Sequence, residues 1–229
     1  MKKINYLSYI LTVLILTVSY INPSYSISLS SPTDLLKKPK EGKEAGDGAK
    51  FNFKNANTGL VKTFFESSNN YLQAQEYLLI AYGKNTQAAQ VKEAISYAKD
   101  AGVDDAKKMK NSIKVSSDAS KEIENSMNDE SFKLTAEGKA SYAQSLPFLL
   151  KGVKGTIELQ PQSQAMVANI QASPMVAMKE LGGLSKVLPN VPKYISTLTN
   201  TAKLVISGAK AKKIEGSDSL DTAMNDLTL

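Results

Sequence analysis

The side chains of this 229-residue chain that could do chemistry are serine, threonine, lysine and the carboxylates. The sequence holds no Cys, no His and no Trp, and all 28 of its basic residues are lysine. These absences exclude thiolate and imidazole metal sites, Cys or His nucleophiles, Ser-His-Asp triads, His-held haem and intrachain disulfides. The lack of arginine also removes the bidentate clamp for carboxylate or phosphate, which lysine cannot imitate because it is a point charge on a flexible stem. A serine with a lysine base survives, and Ser207-Gly208-Ala209-Lys210 has that spacing. In a chain this rich in Ser and Lys such a pair arises on a basic helical face by composition alone, so no catalytic residue is assigned.

Metal chemistry fares no better. Di-iron bundles need Glu followed three residues later by His, which is impossible here. Asp104-Asp105 and residues 125–130 (Asn-Ser-Met-Asn-Asp-Glu) are the densest acidic stretches, and neither has the ligand spacing and central Gly of a calcium loop. They read as solvated helix ends, so no metal and no cofactor is expected. Gly46-Asp47-Gly48 and Gly182-Gly183 lack the further Gly and Lys of a phosphate loop.

The elements that would position any site begin after an N-terminal export signal. Lys2 and Lys3 precede an apolar run from Leu7 to Ile21, followed by Pro23 and by Ser24-Tyr25-Ser26, which puts small residues on either side of Tyr25 for a cut after Ser26. The competing reading is a retained anchor, but the run spans roughly 20–25 Å at ~1.5 Å per residue, short of the ~30 Å hydrocarbon core. An exported, periplasmic or extracellular protein is therefore expected. Residues 27–57, rich in Ser, Pro, Gly and Lys, read as a flexible polar leader.

From residue 58 the pattern becomes helical. Leu60, Val61, Phe64, Phe65, Tyr71, Leu72, Gln75, Leu78, Leu79 and Tyr82 recur on one face, with Gly83 as a stop. A second helix is expected over residues 86–101 and a third over 104–129, whose seam of Ala106, Met109, Ile113, Ser116, Ser120, Ile123 and Met127 steps by three and four. Thr135 caps a fourth, with a stripe of Ala136, Ala140, Ala143, Leu146, Leu150, Val153 and Ile157; Pro147 should kink or split it and Pro161 should end it. The last clear helix covers residues 192–213, with Ile195, Leu198, Ala202, Val205, Ile206 and Ala209 inward. No alternating runs mark a sheet. The expected fold is all-α: an antiparallel helical bundle of four to five main amphipathic helices over residues 58–214, with a polar tail over 215–229 and one docked turn around residues 220–227.

Three groups of residues are candidate binding sites in such a bundle. Ser116 and Ser120 interrupt an apolar seam, either as a polar layer at a close helix crossing or as a small polar pocket. Met166, Met175 and Met178 lie in a broken apolar stretch that could fold over an apolar ligand, since Met repacks easily. Lys203, Lys210, Lys212 and Lys213 crowd the last helix, in a half of the chain where, from Thr135 to Lys213, ten lysines face three glutamates. That basic half suits anionic lipid, a membrane surface or an acidic protein. Too few aromatics interleave with the lysines for a nucleic-acid partner. The expected function is thus a non-catalytic helical-bundle protein of a bacterial envelope that binds a partner or a small apolar ligand, lipid included. A secreted membrane-active protein working through its basic C-terminal helices is the second reading, and a hydrolase using Ser/Lys or carboxylates the third.

Overall fold

In the computed structural model, which describes residues 51–102 and 104–220, helix α1 spans Phe53–Ala81. Asn52 Oδ1 accepts the Asn55 amide at 3.0 Å and caps its start. Its end is set by Gly83, whose φ of 71° turns the Lys84 amide back onto the Leu79 carbonyl at 2.8 Å. Glycine takes that left-handed conformation without steric cost, which is why the helix stops there. After it come α2 (Asn85–Ala98), α3 (Ala106–Asn128), α4 (Ala136–Ala172), α5 (Pro174–Leu181), α6 (Leu184–Val187) and α7 (Val191–Ala211), with 3-10 turns at Leu188–Asn190 and Ser217–Leu220. Among the described residues every regular element is helical, in line with the all-α expectation.

Helix α1 is the hub. Each of the ten inward residues read from its periodicity is buried, and it packs on α2, α3 and most extensively on α4. Ala81 lies beside Gly138, Tyr77 stacks on Phe148 with ring centroids 5.7 Å apart, and Ser67 Oγ donates to the Gly152 carbonyl at 3.0 Å, so α1 and α4 run in opposite directions. Glycines at 152 and 155 permit this approach. A Cβ on Gly152 would sit 2.6 Å from Tyr71 Cδ2, and one on Gly155 2.7 Å from Ser67 Cβ. Helix α7 closes the other side, with Tyr142 OH donating to the Val205 carbonyl at 2.7 Å and all six of its expected inward residues buried.

The structure corrects several expectations. The first helix starts at Phe53 rather than after residue 57, because Asn52 caps it and Phe53 and Asn57 are buried. Helix α4 neither splits at Pro147 nor ends at Pro161; it continues to Ala172. Both prolines are on the exposed side, where the carbonyls they leave without an amide partner can be hydrated. Burial of Leu146, Leu149, Val153, Leu159, Met166 and Ile170 on both sides of the prolines outweighs a penalty of about 3 kcal/mol for an interior proline. The stripe of α4 is also rotated from the expected one: Ala136, Ala140 and Ile157 are exposed, while Gly138, Tyr142, Ser145, Gly152, Thr156 and Ser163 face inward. The tail begins with a docked turn, in which Leu220 is buried. The signal segment with its cut after Ser26, the leader up to residue 50, and residues 221–229 lie outside the described residues.

Candidate binding surfaces

Ser116 and Ser120 face α1 on successive turns of α3, and both are fully buried. Gln75 reaches them from the most apolar stripe of the protein. Its Nε2 donates to the Ser116 carbonyl and to Ser120 Oγ, each at 2.9 Å, and its Oε1 accepts the Ser116 hydroxyl at 2.8 Å. Both amide protons and the carbonyl of Gln75 are thereby used. Two turns away along α1 the Ser68 hydroxyl pairs with Tyr194 OH at 3.1 Å, and beyond it Thr156 Oγ1 donates to the Gly152 carbonyl at 2.9 Å beside the Ser67 bond. This is a closed polar seam joining α1 to α3, α4 and α7. A buried hydroxyl left alone costs about 1–3 kcal/mol, whereas these are paired and specify the register of the helices. Gln75 is the residue that sequence reading passed over. Its amide within an apolar stripe was a signal, since a buried polar side chain requires a partner.

The three methionines do not converge. Met166 is core, 1% exposed, on α4. Met175 and Met178 stand on the far side of α5, 78% and 55% exposed, with Val176 between them at 47%. The reason is rotational. Ala177, Leu181 and Leu184 form the stripe that packs inward, so positions 175 and 178, one turn apart, point away from it. Gly182, at φ 53°, ends α5, and Pro174 opens it, so the helix is a short separate plate between α4 and α7. It is apolar on both faces and covered on one. Lys179, Lys186 and Lys193 are exposed on and just beyond it, against Glu180.

The lysines of the last helix divide. Lys203 is half-buried on α7, while Lys210, Lys212 and Lys213 cluster where the helix ends. There the Ile214 amide returns to the Ala209 carbonyl at 2.9 Å and Lys213 takes φ 50°, the same terminal motif that Gly83 makes after α1. Positive charge at that point complements the partial negative charge of a helix C-terminus, which accounts for the cluster without a ligand. Ser207 and Lys210 are exposed on this helix, and Gly208 between them lies against Met127 Cε and Tyr142 OH. Asp105 caps α3, its Oδ1 accepting the Lys108 amide at 3.0 Å. Asp129 binds the Ser131 hydroxyl and amide, and the hydroxyl bond first of all holds its carboxyl below the usual range. Among the described residues no group of three or more carboxylates is placed to hold a metal ion.

A groove of about 590 Å³ runs between α2 and α3. Val91, Ala94, Val115 and Ala119 floor it, and Tyr97 stands at one end. Its carboxylates are partly engaged: Asp118 pairs with Lys114 at 2.8 Å and Glu122 with Lys84 at 2.7 Å. No helix among the described residues is long and apolar enough to cross a membrane. No protein-family model, no curated protein and no solved structure matches this chain.

Proposed function

We propose that this chain is an exported, non-catalytic antiparallel helical bundle that docks reversibly onto anionic lipid surfaces through helix α5. The observation that carries the reading is the outward face of that helix, where Met175, Val176 and Met178 are 78%, 47% and 55% exposed. Partial burial of three such side chains in an interface is worth about 1–2 kcal/mol each. Each of Lys179, Lys186 and Lys193 adds about 1 kcal/mol near an anionic surface. Together these support weak, reversible attachment rather than insertion. A ligand held inside the bundle at Ser116 and Ser120 has less support, because Gln75 already occupies their hydrogen-bonding positions.

Co-sedimentation with vesicles tests the reading. The protein should pellet with vesicles of phosphatidylglycerol, stay in solution with vesicles of phosphatidylcholine, and be released by salt as surface charge is screened. Entrapped dye should stay inside, which separates docking from the membrane-active reading. Equal pelleting of a Met175→Ser/Val176→Ser/Met178→Ser variant would refute the assignment to α5.

A further inference from the structure

The same face carries a chemical liability: among the described residues, the exposed thioethers are here. The chain has no cysteine, so thioethers are its only sulfur, and the described ones run from full burial to wide exposure, with Met127 half-buried between. Met109 is fully buried and Met166 is 1% exposed, while Met175 and Met178 are the two methionines among the large exposed apolar residues. They lie one turn apart on one face of α5, at the centre of the proposed contact.

We infer that Met175 and Met178 form a peroxide-sensitive pair whose oxidation switches docking off, an inference that rests on the docking reading for its consequence. In the reaction a sulfur lone pair attacks one oxygen of hydrogen peroxide. The S–O bond forms as the O–O bond breaks, and the departing hydroxide takes up a proton. The thioether loses two electrons to become a sulfoxide, and the peroxide is reduced to water. The product is polar where the thioether was apolar, so the stripe that would enter the interface becomes hydrophilic while the inward stripe of Ala177, Leu181 and Leu184 is untouched. With no thiol in the chain to intercept the oxidant, these two react ahead of the buried Met109 and Met166. The lesion is reversible by a methionine sulfoxide reductase, which gives the site the form of a switch.

The sequence supplies an internal control, because no lysine falls between Lys154 and Lys179. Trypsin therefore releases Met166, Met175 and Met178 on one peptide, residues 155–179. The full chain is treated with limiting hydrogen peroxide and that peptide is fragmented in a mass spectrometer. Met175 and Met178 should gain oxygen about tenfold faster than Met166, in keeping with their accessibility. The oxidised protein, its helical circular dichroism unchanged, should lose most of its pelleting with phosphatidylglycerol vesicles. A Met175→Leu/Met178→Leu variant should pellet before and after peroxide alike. Oxidation of Met166 at the same rate would overturn the selectivity, and selective oxidation with pelleting retained would overturn the switch. If the untreated protein does not pellet, the docking reading fails and the switch with it, a result separate from either oxidation outcome.

Discussion

The interior seam around Gln75 and the outer face of α5 invert the usual distribution of polarity, and they do so with different consequences. In the seam, Gln75, Ser116, Ser120, Ser68 and Tyr194 are buried polar groups whose hydrogen bonds close on one another. On α5, Met175, Val176 and Met178 are apolar groups that no other part of the described chain covers. A buried polar group that is fully bonded explains itself within the molecule. An exposed apolar row does not, and it directs attention outward. The two regions differ because a hydroxyl can be satisfied by one well-placed neighbour, whereas an apolar face requires area.

The largest effect that separates them comes at high pH. Burial pushes Tyr82 up to about 12 and raises Tyr71, Tyr142 and Tyr194 well above the ordinary 10.0. The fold therefore favours neutral tyrosine. That stability is complete below pH 10 and is lost as the unfolded chain ionises and pH climbs towards the folded values. Circular dichroism should show cooperative loss of helix beginning between pH 10 and 12, with the tyrosinate absorbance of these four buried rings appearing in the same transition. Absorbance that reaches the full value for all ten tyrosines while the helical signal persists would mean that the interior tyrosines are solvated.

Gln75→Ala comes next. It leaves a cavity and strands the hydroxyls of Ser116 and Ser120, and denaturant unfolding should register a loss of about 3 kcal/mol. A smaller contrast sharpens the role of hydrogen bonding. Tyr194→Phe removes the partner of Ser68 and should cost about 1 kcal/mol, whereas the Tyr82 hydroxyl is buried without a partner among the described residues, so Tyr82→Phe should leave the unfolding midpoint unchanged or raise it. Met175→Ser and Met178→Ser should change stability by no more than about 0.5 kcal/mol, because nothing in the fold rests on those side chains. A loss of several kcal/mol there would move α5 into the same class as the seam.

Much of this was legible in the residues alone. The inward faces of α1 and α7 consist of large apolar side chains, so their period of three and four identifies them directly. The third helix was equally clear, and Gly83 and Thr135 marked their helix ends by local chemistry that needs no tertiary partner. Helix α4 was misread for the converse reason. Its buried face intersperses Gly138, Ser145, Gly152, Thr156 and Ser163 among Tyr142, Leu146, Leu149, Val153 and Leu159, and these small or bonded residues blur the hydropathy period. Pro147 reads as a kink or a split and Pro161 as an end because the penalty is local, while the packing that outweighs it spans both helices. For the sites, the sequence singles out Ser116 and Ser120 of the seam and Met175 and Met178 of α5, but not Gln75, Ser68 or Tyr194, which close the seam. Whether Ser116 opens onto a pocket depends on Gln75, forty-one residues away, and whether Met175 and Met166 share a site depends on the turn at Ser173.

The absence of tryptophan from the chain makes the central claim directly measurable. A single Met178→Trp substitution places the protein's only indole on the outward face of α5, and its emission is recorded as phosphatidylglycerol vesicles are added. The account predicts a blue shift that saturates with lipid and reverses with salt, as the ring leaves water for the interface. Emission that stays at its aqueous position while the protein pellets would show that some other surface makes the contact, and would contradict it.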